Sequence, residues 1–240
     1  MLLLPLAVLT MAGNHKVSKE NKDQDTLLLE NIFPFQLQHC HGSTIVELPN
    51  RDLLQKGDIG DSGKAFFSKK DWEKARKYYM EVVKGDNLKS DGSEVNENGE
   101  ITMLMRDNGP PPKRLMKSIS KDNGLTWSSV TDTNIPNPST AADVVVLKSG
   151  AWALVLNDIE EGRHRLSVWL SKDEGQTWPY RKIIVNGVPN SAVRGHYPAI
   201  IQGIDGTIHL SYMNQIPGKS GGLDQKNIVH ASFSKKWLMQ

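Results

Sequence analysis

One short segment of the chain combines two residue types that commonly bind metal ions. His39, Cys40 and His41 are consecutive, and imidazole and thiolate groups are standard zinc ligands. Adjacent side chains on a strand point to opposite faces, so at most the two histidines could share one site. No HExxH, phosphate-binding loop or GxGxxG motif occurs. The sequence therefore predicts no metal site and no cofactor.

A second pattern, S-x-D-x-G-x-T-W, occurs at residues 120–127 and again at residues 171–178. Its aspartates, Asp122 and Asp173, have the spacing of a hairpin turn, in which a carboxylate accepts backbone N–H bonds from its own turn. The glycine supplies the positive φ that such a turn needs. The tryptophan is expected to pack between neighbouring sheets. We therefore interpret both aspartates as structural and not catalytic.

Short apolar runs surround these turns and indicate the elements that position them. The predicted strands cover residues 43–48, 101–105, 115–120, 142–147, 151–156, 166–170, 181–185, 198–202, 207–212 and 228–233. Such short, evenly spaced strands are typical of an all-β sandwich, barrel or propeller. The offset of 51 residues between Asp122 and Asp173 favours propeller blades of four strands. Each turn would then join the third and fourth strands of a blade.

Charge and cysteine content exclude several classes of protein. The 240 residues include 29 Lys and Arg against 27 Asp and Glu, a formal net charge of +2. A protein that binds nucleic acid through phosphate contacts would be more basic, so no nucleic-acid partner is expected. Hydrophobic residues make up 38% of the chain, which is enough for a core. A single cysteine excludes a disulfide framework.

The N-terminal region carries a short apolar run at residues 2–9. It is too short to span a bilayer and fits a secretory signal cleaved after Ala12, with a buried strand or a frayed tail as alternatives. Residues 1–25 are therefore assigned to a signal and leader, and we expect a secreted or periplasmic protein without a membrane span. Residues 26–240 form the β-rich domain, interrupted by a helical insertion at about 66–85 that helical spacing and a capping box predict.

The two turns resemble the Asp-boxes, or BNR repeats, of the sialidase (neuraminidase) superfamily. The resemblance covers residues 93–240 well and residues 30–53 less well, and it implies a sialidase-type β-propeller, six-bladed in the family. It also implies an exo-glycosidase that hydrolyses terminal acidic sugars, such as sialic acid, from glycans. A non-catalytic glycan-binding or interaction propeller is the alternative, because Asp-boxes also occur outside the sialidases.

The resemblance assigns carboxylate binding to arginines. Sialidases hold the sugar carboxylate with three arginines, whose planar guanidinium groups match a carboxylate in a bidentate way. Residues 99–107 resemble the strand that carries the second of them, here Arg106, which should project from the strand end toward a loop. Residues 163–168 resemble the strand of the third, here Arg163. Arg165, two residues further on, is the structural alternative.

The resemblance places the nucleophile at Tyr197. In sialidases a tyrosine, assisted by a glutamate, takes this role because a neutral group is not repelled by the anionic substrate. Tyr197 begins a segment that resembles the family's tyrosine segment and follows Arg163 by 34 residues. His41 stands where the first arginine of the family would be. It would line the pocket, although an imidazole cannot form the bidentate contact with a carboxylate that a guanidinium forms.

Two further roles have no clear match. The acid/base aspartate belongs in residues 51–66, which do not resemble the family's segment, although Asp58 and Asp61 are present. The assisting glutamate is expected near residue 90, and Glu94 is the nearest glutamate. The chain is also short, because six blades of about 50 residues need roughly 300. We therefore expect an incomplete propeller of three to four blades, whose open sheet edges could support self-association.

Overall fold

The computed structural model describes most of the chain from residue 93 onward and shorter parts before it. The described residues are 26–31, 35, 40–47, 53–59, 93–95, 100–122, 124–218 and 223–240. The expected signal and leader at residues 1–25 and the expected helical insertion at about 66–85 lie outside these ranges.

Fourteen strands and one short helix occur in the described residues. The first strands are β1 (Leu28–Asn31), β2 (Cys40–Glu47), β3 (Leu53–Ile59), β4 (Ser93–Val95) and β5 (Ile101–Arg106). The next are β6 (Arg114–Ser120), β7 (Thr131–Pro136), β8 (Asp143–Val146), β9 (Trp152–Leu156) and β10 (Arg165–Ser171). The last are β11 (Tyr180–Asn186), β12 (Arg194–Gln202), β13 (Ile208–Ile216) and β14 (Gln225–Phe233), followed by α1 (Lys235–Met239).

The strands form three antiparallel four-stranded sheets and one hairpin. Strands β4 to β7 make the first sheet in chain order, and strands β8 to β11 make the second. The third sheet has the order β1-β14-β13-β12, and β2 pairs with β3. Four-stranded meanders of this kind are the blades of β-propellers. The prediction of an all-β, propeller-type fold with three to four blades is confirmed.

The third sheet joins the two ends of the described chain. Strand β1 supplies its outer strand and pairs antiparallel with β14, with Glu30 opposite His230. Side chains reinforce this pairing. His230 Nδ1 lies 3.2 Å from Glu30 Oε2, and Asn227 Nδ2 donates to Asn31 Oδ1 at 2.6 Å. The last blade is therefore completed by a strand from the N-terminal part of the sequence.

The two larger apolar clusters of the described residues lie on either side of the second sheet. One layer joins it to the third sheet and includes Val168 and Leu210. The other joins it to the first sheet and includes Leu115 and Trp169. Every residue of β9 is buried, because both faces of this strand are covered, and this explains its continuous apolar sequence. The second sheet therefore lies between the first and the third sheets.

The sheets present their candidate residues at one common end. In an antiparallel meander the start of the first strand, the end of the second and the start of the third lie at the same end. Cross-sheet bonds link these ends: Arg114 pairs with Glu160 at 2.6 Å, and Gly195 N donates to Arg163 O at 3.0 Å. We call this end the loop face. The opposite end, which carries both S-x-D-x-G-x-T-W turns, is called the Asp-box face.

The two Asp-box turns have the structure that their sequence predicts. They join β6 to β7 and β10 to β11, the third and fourth strands of their sheets. In the second turn Asp173 Oδ1 accepts from Ser171 Oγ at 2.6 Å and from Thr177 N at 2.8 Å, and Asp173 Oδ2 accepts from Thr177 Oγ1 at 2.5 Å. Gly175 has a φ of 76°. The structural interpretation of this aspartate is supported by these contacts.

The expectation for the tryptophans holds for only one of the two turns. Trp178 is 7% exposed and packs with Trp152 and Trp169 in the layer between the first and second sheets. Trp127 is 38% exposed, so its packing between sheets is not observed. The reason is positional: Trp178 lies on the side of the second sheet that the first sheet covers, whereas Trp127 belongs to none of the core clusters of described residues.

Candidate active site

The loop face carries Arg163, two residues before the start of β10. Its main-chain oxygen accepts from Gly195 N at 3.0 Å, so the loop before β10 is bonded to the start of β12. Glycine is needed at 195, because a Cβ there would lie 2.8 Å from Val185 Cγ2 and 3.1 Å from Leu166 Cβ. The close approach of these two segments brings the residues that follow Gly195 to the Arg163 side chain.

Arg163 contacts two aromatic residues of β12. Its Nη1 lies 2.7 Å from His196 Nδ1, and its guanidinium carbon lies 5.2 Å from the centroid of the Tyr197 ring. The rings of His196 and Tyr197 are 4.8 Å apart. Since a guanidinium can only donate, His196 Nδ1 accepts, and the neutral ring then carries its proton on Nε2. A buried histidine thus holds the guanidinium beside the tyrosine.

Tyr197 has an unusual backbone conformation. Its φ is 52°, in the left-handed region, and the pairing of β12 with β13 shifts register between His196 and Ala199. Adjacent side chains on a regular strand lie on opposite faces, and the bulge removes this alternation. Strain of about 1–3 kcal/mol at such a residue persists only where the surrounding structure imposes it, and such residues cluster at functional sites.

Arg165 is engaged in a separate contact. Its Nε lies 2.7 Å from Asp158 Oδ1, and its Nη2 donates to the main-chain oxygen of Asp158 at 2.8 Å. The other carboxylate oxygen of Asp158 accepts from Trp169 Nε1 at 3.2 Å. The guanidinium fork of Arg165 is therefore occupied within the protein, which fits the structural reading of this residue.

The remaining candidates lie elsewhere on the loop face. Arg106 is the exposed last residue of β5, and no described contact joins its side chain to Arg163 or Tyr197. The neighbouring carboxylate of Asp107 accepts from Gly109 N at 2.6 Å. His41 lies in β2, which packs against β12 and β13, but its side chain lies outside the described part. The structure thus places Arg163 and Tyr197 in contact, and Arg106 at the end of β5 on the same loop face.

A cavity of about 280 Å³ opens beside Arg163. It lies between the segments before β8, β10 and β12, and the residues that line it include Arg163, His164, Arg194, Thr140 and Ser191. No carboxylate is among its lining residues within the described ranges. The cavity is therefore positively charged and has hydroxyl groups within its wall.

Sequence analysis did not identify His196 or Arg194 as site residues. His196 directly precedes Tyr197, and on a regular strand it would face away from it. Only the bulge in β12 brings both rings together, and no turn signal in the sequence marks it. Arg194 reaches the cavity because Gly195 docks the start of β12 on the loop before β10. No pattern in the neighbouring sequence indicates such a contact between two sheets.

A family model described as a BNR repeat-like domain matches residues 65–210, more than half of the chain. The chain belongs to the BNR repeat-like family. This membership agrees with the two Asp-box turns and the four-stranded blades, and it makes the protein a sialidase-like BNR-repeat superfamily member. No curated protein sequence matches the chain.

Several solved structures resemble this BNR-repeat chain. The Hadza microbial sialidase Hz136 is 18% identical with a TM-score of 0.46, and the match covers 60% of this chain and 27% of that one. The NanB sialidase of Streptococcus pneumoniae is 15% identical with a TM-score of 0.45, covering 82% and 28%. A Dyadobacter fermentans protein of unknown function is 21% identical with a TM-score of 0.36, covering 57% and 36%. The chain spans 27% to 36% of the length of these structures.

Two of the acidic residues considered for the unmatched roles lie in β3 and β4. Asp58 lies in β3 with its Cα opposite His41, and Glu94 lies in β4, but their side chains are outside the described part, as is the whole of Asp61. No three His, Cys, Asp or Glu side chains within the described ranges form a group that could hold a metal ion. No helix in those ranges is long and apolar enough to cross a membrane.

Proposed function

We propose that this BNR-repeat protein is a sialidase-like exo-glycosidase that removes terminal acidic sugars, such as sialic acid, from glycans outside the cell. The observation that carries the proposal is the contact of the Arg163 guanidinium with Tyr197, 5.2 Å from the ring centroid. Arginine supplies a fork for the sugar carboxylate, and tyrosine is the nucleophile that retaining sialidases use.

In this mechanism Arg163 binds and orients the substrate. Its Nη1 is held by His196 at 2.7 Å, and its other N–H groups remain to donate to the carboxylate. Arg106, which is exposed at the end of β5, is proposed as a second carboxylate contact. His41 is proposed to line the pocket from β2. A general base would accept the phenolic proton.

Tyr197 would attack the anomeric carbon of the bound sugar. Its phenol oxygen forms the bond to that carbon while the bond to the glycosidic oxygen breaks, and a general acid protonates the departing oxygen. Water then hydrolyses the covalent intermediate, adding its hydroxyl to the sugar and returning a proton to the tyrosine oxygen. The phenol approaches an anionic substrate without charge repulsion. The positive charge of Arg163 beside the ring stabilises the negative charge that develops on the phenol oxygen as its proton leaves.

Hydrolysis of a fluorogenic sialoside tests this proposal. We expect turnover by the full chain, and a loss of roughly four orders of magnitude or more in Tyr197→Phe, as for the removal of other nucleophiles. Tyr180→Phe is the matched control, because Tyr180 lies on β11 and its hydroxyl contacts Lys172 at 3.1 Å. It should leave turnover unchanged.

Two outcomes contradict the proposal. The first is equal turnover by wild-type protein and Tyr197→Phe. The second is sialic acid binding, measured by isothermal titration calorimetry, without turnover by either protein. That second outcome indicates a non-catalytic glycan-binding propeller.

A further inference from the structure

Three side chains on one face of the third sheet form a continuous hydrogen-bonded line that takes no part in the proposed reaction. His230 Nδ1 lies 3.2 Å from Glu30 Oε2, and His230 Nε2 lies 3.0 Å from His209 Nδ1. The line crosses three neighbouring strands, from β1 through β14 to β13. It therefore connects the N-terminal strand of this blade to both strands beside it.

The two imidazole rings are joined end to end. Their planes differ by 14° and their centroids are 5.3 Å apart, which is about the largest separation that a 3.0 Å contact between ring nitrogens allows. The contact therefore lies in the plane of both rings, as a linear hydrogen bond requires. Such a bond holds one proton between its two nitrogens, so one ring donates and the other accepts.

This arrangement limits the number of protons that the histidine pair can hold. His230 Nδ1 carries a proton because it faces a carboxylate, so neutral His230 accepts through Nε2 and His209 donates through Nδ1. His209 Nε2 can take up one further proton without breaking either bond. A second would place hydrogens on both nitrogens of the 3.0 Å contact, and the two like-charged rings would repel each other.

The strands around the pair supply mostly neutral neighbours. Ile201 on β12 and Ser232 on β14 lie opposite His209, and Ser211 lies opposite His230. Glu30 is the only charged residue of β1. Strand β2 packs against β13 and β14, and its ionisable residues are Cys40, His41 and Glu47.

The turn between β12 and β13 brings one charge of each sign toward His209. A Cβ at Gly203 would lie 3.2 Å from His209 Nε2, and Lys148 Nζ donates to Gly203 O at 3.1 Å, so its charge opposes protonation. Asp205 favours it. Burial and the charge of a protonated His230 outweigh Asp205 and lower the pKa of His209 to about 4, against an ordinary value of about 6.5.

Strand β1 is the element of this sheet that is most easily released. Its four residues are all exposed, and within the described ranges it pairs with β14 alone. Segments with few buried contacts open at the lowest free energy. Departure of β1 uncovers the side of His230 that Glu30 contacts, so this otherwise buried ring can turn from His209 into water and both rings can be protonated.

We propose that Glu30, His230 and His209 form an acid-labile clasp that holds β1 on the last blade near neutral pH and releases it in acid. Release takes up the proton that the closed clasp excludes. Because the pKa of His209 is lowered in the closed form, that form is favoured above about pH 6.5 and loses this advantage as the pH falls toward 4. The clasp does not depend on the proposed glycosidase activity.

Hydrogen exchange of the β1 amides tests the clasp, measured by mass spectrometry on the full chain and corrected for the intrinsic effect of pH. We expect protection of residues 28–31 to fall at least about 10-fold between pH 7.5 and pH 5, while β9, which is buried throughout, keeps its protection. His209→Gln keeps a donor toward His230 but cannot take up a proton, so the fall should shrink to less than about 3-fold.

Two further variants identify the group that titrates. Glu30→Gln removes the carboxylate and leaves the histidine pair, so β1 should still lose protection in acid. His164→Gln, a matched histidine change on the loop face, should behave as the wild type does. Protection of β9 reports whether each variant is folded, and His230→Gln removes the same contact from the other side if His209→Gln does not fold.

Three results overturn the inference. The first is wild-type protection of β1 that stays constant between pH 7.5 and pH 5. The second is a full loss of protection in acid that persists in His209→Gln or His230→Gln. The third is a loss that disappears in Glu30→Gln, because the carboxylate and not the histidine pair would then be the group that titrates.

Discussion

The two Asp-box turns share their hydrogen bonds but differ in what surrounds them. In the first turn Thr126 N donates to Asp122 Oδ1 at 2.8 Å and Gly124 N donates to Ser120 Oγ at 2.8 Å. The second turn repeats these bonds at the same distances. The glycines have φ values of 84° and 76°. The eight-residue motif therefore specifies the turn by itself, whichever sheet it belongs to.

The surroundings of the two tryptophans differ strongly. Trp178 is buried against the first sheet, where Leu115 and Ile135 belong to the same apolar cluster. Trp127 keeps 38% of its surface exposed, and its Nε1 donates to Gly124 O within its own turn at 3.1 Å. Local chemistry thus fixes the turn, while the neighbouring sheet determines how much the tryptophan contributes to stability.

The largest effect that separates the two turns is expected from the tryptophans. Trp178→Ala should reduce the free energy of unfolding by about 3–5 kcal/mol, because it leaves a cavity in a packed layer. Trp127→Ala, the matched control, should cost less than about 1 kcal/mol, since its ring is partly in solvent. Urea unfolding of both variants provides the measurement. Equal losses would show that the two turns are packed alike.

A smaller difference is expected from the glycines. Alanine at either position must adopt a positive φ, at a cost of about 1–2 kcal/mol. At 175 the new Cβ would also lie 3.2 Å from both Trp152 Cε3 and Trp178 Cζ2, whereas at 124 it would meet Ile101 Cδ1 at 3.6 Å.

Because the ring atoms at 175 cannot move freely, Gly175→Ala should destabilise the protein by about 1 kcal/mol more than Gly124→Ala. Thermal unfolding of the two variants measures this difference. The comparison between the turns fails if Gly124→Ala is the more damaging change.

Much of the fold follows from apolar patterns, but strands β1, β3, β4 and β7 were not among the predicted strands. All nine strands predicted from residue 93 onward are present, within a few residues of the expected ends. Strand β7 was not predicted, because it is an outer strand whose polar residues face solvent and it lacks an apolar run. Strand β1 was also missed, although it contains two leucines, because its place in the fold comes from pairing with β14 at the other end of the sequence.

The candidate site was less predictable than the fold. A resemblance to sialidases selects Arg163 and Tyr197, which the structure places in contact. His196 and Arg194 could not be found in this way, because their positions depend on a bulge in β12 and on the close packing at Gly195. Both the bulge and the close packing depend on contacts between segments that are distant in the sequence. The exposed position of Trp127 is a third example, since the sequence of its turn matches that of the buried copy.

The smallest expected effect concerns the aspartates and appears only in acid. Hydrogen bonds from Ser171 and Thr177 lower the pKa of Asp173 to about 2, below the value of about 3.9 in unfolded chains. Its stabilising contribution is therefore complete above about pH 4 and is lost as the pH falls toward 2. Asp173→Asn should lower the midpoint of urea unfolding at pH 6, and its difference from wild type should shrink at pH 3. Glu161→Gln, an exposed change on the loop face, controls for net charge, and an Asp173→Asn difference that stays constant with pH contradicts the assignment.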